Sequence, residues 1–223
     1  MFFTFQTYDE EIEKKLCSIS FDIPTLTGAL IGHLKSLEFG EENLARVQNL
    51  LSDLIAIGFD DVYANYLSHP VRVAASYCSL VGAPDFESVA YGLCHNFREL
   101  DRPGLEVIEN EYLSEEVRRG LDVLKTDRIR EHDAEYLETF YASIQLAPRK
   151  TMLLKALDKL DNFLGYSMYD FEDAHWMVVR QYVIPGVMGE SPRLARYLEG
   201  VIEYVKRDDV KTRYRSRFPG LVG

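Results

Sequence analysis

Three stretches of this 223-residue chain carry side chains that could gather round one cation: His69, the pair His95-Asn96, and Asp158. Imidazole nitrogen and carboxylate oxygen together suit a hard or borderline divalent ion. We expect one such ion, manganese foremost, with iron, zinc, cobalt or magnesium as alternatives. Neighbouring residues on a helix diverge by about 100°, so His95 and Asn96 can both touch a cation lying alongside their helix, though not both from one face. Glu99 follows one turn later, where its carboxylate could take a proton from a water on that cation. Arg72, three residues after His69, is the best-placed cation for a phosphate group.

Positioning these residues is a task for helices. Apolar residues recur at helical spacing along nearly the whole chain and two-residue alternation is scarce, which predicts an all-α protein. Helices are expected near 8–18, 25–38 and 41–57, with Gly40 and Gly58 as stops. Ser68-His69-Pro70 starts another, because proline suits a first turn where its missing N–H would find no partner, and this one runs to Gly82. Pro84-Asp85 opens the next. Its stripe of Phe86, Val89, Ala90, Leu93, Phe97 and Leu100 predicts a helix reaching almost to Pro103-Gly104, with His95 and Asn96 inside it. Ser114 caps a helix through Val117–Lys125, and others follow near 131–145, from Pro148 to Leu164, near 170–183 and from Ser191-Pro192 to Lys206, before a short tail. With no repeat and no low-complexity linker, residues 1–223 are expected to form a single helical domain.

Composition narrows the function. Lys and Arg number 25 against 36 Asp and Glu, a net charge of −11 that repels a phosphate backbone, so nucleic acid is not an expected partner. No stretch approaches the roughly 18 apolar residues of a membrane span, and none resembles an export signal. Cys17, Cys78 and Cys94 are odd in number and widely spaced, unlike a disulfide framework or a CxxC metal site, which fits a reducing cytoplasm.

The motifs themselves carry a resemblance. Ser68-His69-Pro70-Val71-Arg72-Val73-Ala74, then Gly92-Leu93-Cys94-His95-Asn96-Phe97-Arg98-Glu99, then Leu154-Lys155-Ala156-Leu157-Asp158-Lys159-Leu160-Asp161-Asn162 look like the HD-domain metal-dependent phosphohydrolases. The nearest likeness is to the guanosine tetraphosphate hydrolase domain of RelA/SpoT proteins and its stand-alone homologues. The resemblance spans roughly residues 66–166. It implies an HD-like helical core over about 60–170, an N-terminal helical extension over 1–60, and C-terminal helices with a basic tail over 170–223. It further implies that His69, His95 and Asp158 are metal ligands, that Asn96 occupies the place of the aspartate for which the family is named, that Glu99 helps activate water, and that Asn162 lies near the substrate. The implied activity is hydrolysis of a phosphorylated small molecule, a nucleotide such as guanosine tetraphosphate in the family pattern, by water that a cation activates.

The chain departs from that pattern at Asn96, at Leu100 in place of a second acid, at Leu164-Gly165 in place of an Arg-Thr pair, and in lacking the basic segment before His-Pro. An amide oxygen can coordinate a hard cation but brings no charge. A second reading therefore stands beside the first: a module that has lost turnover and binds a nucleotide or a protein partner. The remaining histidines have plainer explanations. His33 and His175 read as packed or surface residues, and His132-Asp133 as a solvated helix start. Cys94 reads as inert packing. The six basic residues between Lys206 and Arg217 read as a solvated end, or as a contact with an acidic partner or with the protein's own acidic body.

Overall fold

A computed structural model of the chain describes residues 8–20, 22–58, 67–100, 103–127, 129–165 and 173–217. The chain is all-α, with no strand among the described residues. Helices α1 (Tyr8–Ser18), α2 (Ile23–Ser36), α3 (Glu41–Ala56), α4 (Ser68–Val81) and α5 (Phe86–Cys94) are followed by a single 3₁₀ turn (Phe97–Glu99). Then come α6 (Leu105–Tyr112), α7 (Glu115–Leu124), α8 (Ala134–Ile144), α9 (Arg149–Leu164) and α10 (Asp173–Val178). A π-helical stretch (Val179–Val183) leads into α11 (Ile184–Met188), α12 (Pro192–Val205) and α13 (Asp208–Arg217). Among the described residues no helix is long and apolar enough to cross a membrane.

The chain divides into two compact units, the first comprising residues 20–126 and the second joining α1 to the described helices after Asp127. The stretch expected as the HD-like core, 60–170, thus draws on both units.

In the 20–126 unit, α4 packs on α5 and α2, and α3 packs on α5 and α6. Helix α4 stops at Gly82, whose φ of +75° suits a residue without a Cβ and whose N–H donates to the Cys78 carbonyl at 3.1 Å. Helix α5 starts at Asp85, whose carboxylate accepts from the Ser88 N–H at 2.8 Å. It is shorter than its apolar stripe predicts. The regular helix closes at Cys94, with His95 as the residue after its last turn, and the chain tightens into the 3₁₀ turn through hydrogen bonds from Glu99 N–H to the Asn96 carbonyl and Leu100 N–H to the Phe97 carbonyl. Phe97 stays buried through the change, so the apolar pattern continued where the helix did not. Helix α6 was not foreseen: only Leu105 and Ile108 anchor its eight residues, too few to show a period.

In the second unit, α12 packs on α1, α9, α11 and α13. The π-helical stretch falls just before Pro185, which has no N–H to offer the preceding turn, so the expected single helix over 170–183 is broken up and continued differently. The expected short tail is instead largely α13. Its approach is tied to α1 by Arg207 on Asp9 at 2.8 Å and Arg213 on Glu13 at 3.4 Å, so part of the basic end pairs with the protein's own acidic helix.

Candidate functional site

His69 and His95 are brought together by the packing of α5 on α4. Gly92, one turn before His95, faces α4 so tightly that a Cβ there would lie 2.5 Å from the Ala74 Cα. Only a glycine lets the two backbones approach this far. The consequence appears one turn later, where His95 Nε2 lies 3.1 Å from His69 Nε2, with the rings edge to face at 70°. His95 is buried and His69 half-buried.

The protonation of His95 follows from its other nitrogen. Nδ1 lies 2.7 Å from the Gly92 carbonyl oxygen, which can only accept, so Nδ1 carries the proton and donates it. In the neutral ring, Nε2 then holds a lone pair directed at His69. A backbone carbonyl that sets the tautomer in this way is the usual orienting partner of a metal-binding histidine. The spacing suits the same use. Zinc–imidazole bonds run about 2.0–2.1 Å, and two of them at 90–110° hold their nitrogens about 2.8–3.4 Å apart.

The neighbouring candidates divide. Asn96 is buried beside His95, at the step between α5 and the 3₁₀ turn. Glu99 ends that turn half-buried, and its Oε1 accepts the Thr126 N–H at 3.3 Å, so its position follows the turn after α7 rather than a continuing α5. Arg72 gives Nη1 to the Ser20 carbonyl at 2.8 Å, an anchoring role that the sequence did not suggest. Arg98 is engaged by Glu109 and by Asp122, the latter at 2.6 Å. Cys94 is fully buried, and burial pushes its thiol well above the ordinary range, as an inert packing residue requires. Burial does the same to Cys78, pushed up to about 12. His33 ties α2 to α4 through Ser79 Oγ at 2.8 Å.

In the second unit, Asp158 is 3% exposed and is gripped along its own helix. Asn162 Nδ2 donates to Oδ1 at 2.7 Å, Lys155 Nζ lies 3.0 Å from Oδ2, and Lys159 Nζ lies 3.5 Å from the same oxygen. Both oxygens therefore have a donor, which fixes the plane of the carboxylate. Asn162 thus stands beside Asp158, as the one-turn spacing of the motif implies. Lys155 is the residue that sequence reasoning passed over. It is 3% exposed and lies under the rings of Phe140 and Tyr141, with Nζ 5.4 and 5.8 Å from their centroids. Its signal was available: a lone lysine in the middle of the apolar run Met152–Leu157, three residues before an aspartate.

His175 is buried in the same unit. Burial, with the charges of Lys159, His132 and Lys155, pulls its imidazole down to about 4, so it is neutral at physiological pH. His132 is exposed in the turn before α8. Compared with known proteins, the chain matches no family model, no curated protein and no solved structure.

Proposed function

We propose that His69, His95 and Asp158 hold one divalent cation and that the protein is an HD-type phosphohydrolase acting on a phosphorylated small molecule, a nucleotide in the first instance. The observation that carries this reading is the facing pair of imidazole nitrogens, His69 Nε2 and His95 Nε2, with the His95 lone pair oriented by the Gly92 carbonyl. Two neutral nitrogens and one ionised oxygen are a donor set that fits manganese, iron, zinc or cobalt. Such a cation, when bound, acidifies a water and polarises a phosphoryl oxygen.

The chain's own residues supply the rest. Asn162 and the lysines hold the Asp158 carboxylate in place as the third ligand. Glu99, steadied at Oε1 by the Thr126 N–H, accepts the proton of the attacking water. Asn96 contributes at most a neutral amide oxygen, which lowers affinity for the cation and leaves it more electrophilic.

Titration with Mn²⁺, followed by phosphate release from a panel of nucleotides, tests the proposal. Near-stoichiometric uptake, lost in His95→Ala and in Asp158→Asn, is the expected result, and absence of uptake overturns it. Asn96→Asp should tighten Mn²⁺ binding about tenfold or more, the scale of changes around metal ligands. A second reading, favoured by Asn96 and by Leu100 in place of an acid, is a module that binds nucleotide without turnover. Nucleotide binding by metal-free protein, with no phosphate release, supports that reading instead.

A further inference from the structure

Glu99 lies in a 3₁₀ turn that the apolar spacing around it does not call for, and the residue before it ties that turn to two other helices of the 20–126 unit. Arg98 donates through Nη1 to Glu109 of α6 and through Nε to Asp122 of α7, the latter at 2.6 Å. Both nitrogens belong to one planar guanidinium, so acceptors on two helices fix its orientation as well as its position. The two contacts differ in strength. The Asp122 side chain is 62% exposed, and such a pair contributes little. The Glu109 side chain is 11% exposed, and a carboxylate so enclosed is costly without a cation beside it. Glu109 is the anchor of the turn.

The Glu99 carboxylate meets the chain at the end of the same α7. Its Oε1 accepts the N–H of Thr126, four positions after Asp122. Arg98 on Asp122 and Glu99 on Thr126 are therefore successive rungs between the turn and the end of α7. At 3.3 Å the second rung is longer than a well-formed hydrogen bond, so it is ill suited to fix the carboxylate alone.

We propose that Arg98, anchored by Glu109, is the positioning residue for Glu99: it draws the 3₁₀ turn against α6 and α7 and so sets where the Glu99 carboxylate stands. For its catalytic consequence the proposal rests on the reading above, in which Glu99 takes the proton of the attacking water. It also gives the early close of α5 a cause. Phe97 and Leu100 keep helical apolar spacing, yet the backbone bonds run from Glu99 N–H to the Asn96 carbonyl and from Leu100 N–H to the Phe97 carbonyl, the three-residue spacing of a tightened turn. Two carboxylates pulling on the side chain between those residues favour that turn.

The test reads amide hydrogen exchange residue by residue by NMR in wild type, Arg98→Met, Arg98→Lys and Glu99→Ala. Glu99→Ala should raise the Thr126 rate about tenfold, the scale of one hydrogen bond to a charged group. Arg98→Met should bring Thr126 to the same rate, while the amide of buried Leu121 in the body of α7 exchanges as in wild type. Arg98→Lys, which keeps a charge for Glu109 but has no fork to span both carboxylates, should fall between them. Mn²⁺ affinity should be unchanged, because His69 and His95 precede the turn. Phosphate release from the nucleotide panel should fall about tenfold to hundredfold in kcat with KM kept, the scale of a displaced catalytic group. A Thr126 rate that Glu99→Ala does not raise, or that Arg98→Met leaves as in wild type, overturns the proposal. Exchange raised equally at Leu121 also overturns it, leaving Arg98 as a brace for α7 alone, and so does a released Thr126 with kcat unchanged. If wild type releases no phosphate from any nucleotide, the proposed function fails separately and the Thr126 amide alone decides Arg98. If Arg98→Met does not fold, Arg98→Lys carries the comparison.

Discussion

The histidine pair of the 20–126 unit is held by contact between two helices, whereas the aspartate cluster of the second unit is held within one. His69 and His95 meet because α4 and α5 touch at Gly92 and Ala74, and they offer ring nitrogens. Asp158 meets Lys155 and Asn162 because residues three and four positions away on one helix share its side, Lys159 reaches the same carboxylate with its long side chain from the next position, and that cluster is charged. The comparison teaches that two halves of one proposed centre can fail in different ways. Packing changes should destroy the first, and charge changes the second.

The largest expected effect is on the charged half. Asp158→Ala leaves Lys155 buried without its carboxylate and should cost about 3–5 kcal/mol of stability by denaturant unfolding. The double variant Asp158→Leu with Lys155→Met should recover much of that, because a buried pair replaced by apolar groups is often neutral or better. If the single and double variants are equally unstable, the cluster is not held by charge.

Next comes the packing half. Gly92→Ala forces α5 off α4 and should cost about 1–3 kcal/mol by overpacking. It should also weaken Mn²⁺ binding, since His95 moves with the helix. A variant of normal stability and unchanged metal affinity would show that the close approach does not set the histidine spacing.

A pH effect separates the units further. His175 sits at about 4 in the folded chain against an ordinary 6.5. Above about 6.5 it is neutral whether folded or unfolded and adds no pH dependence. Between about 6.5 and 4 the unfolded chain takes up a proton that the folded one refuses, so stability falls as pH falls, and below about 4 that loss is complete. His175→Gln should flatten the decline by up to about 1.4 kcal/mol per pH unit in urea unfolding series at pH 7, 6 and 5. An unchanged slope would remove His175 as its source.

The smallest effect belongs to the exposed pairs between α13 and α1. Arg207→Ala, which removes the contact with Asp9, should lower stability only slightly in denaturant unfolding, and 1 M salt should reduce the difference. A larger loss, insensitive to salt, would mean that Arg207 acts by packing on Tyr204, over whose ring its guanidinium lies.

The all-α class was legible because it depends on a short-range period, repeated through most of the chain. Helix ends were legible where local chemistry marks them, as at Asp85, Ser114 and Gly82. The closure of α5 at Cys94 was not, because Phe97 and Leu100 keep the apolar spacing after the hydrogen bonding has changed. The site divided along the same line. Asp158 with Asn162 could be read from spacing on α9, and Lys155 could have been. The carbonyl of Gly92 under His95 could not, and neither could the capture of Arg72 by Ser20 from 52 residues away.

By itself, then, the sequence determined the helical class, the −11 charge and the set of side chains on each helix face, because these follow from composition and a 3.6-residue period. The tertiary structure alone decided that residues 20–126 form one compact unit, that His69 Nε2 faces His95 Nε2, and which cations were already engaged. The physical reason is that a period of 3.6 residues says which side chains share a face, but only packed backbones say how near another helix that face will lie.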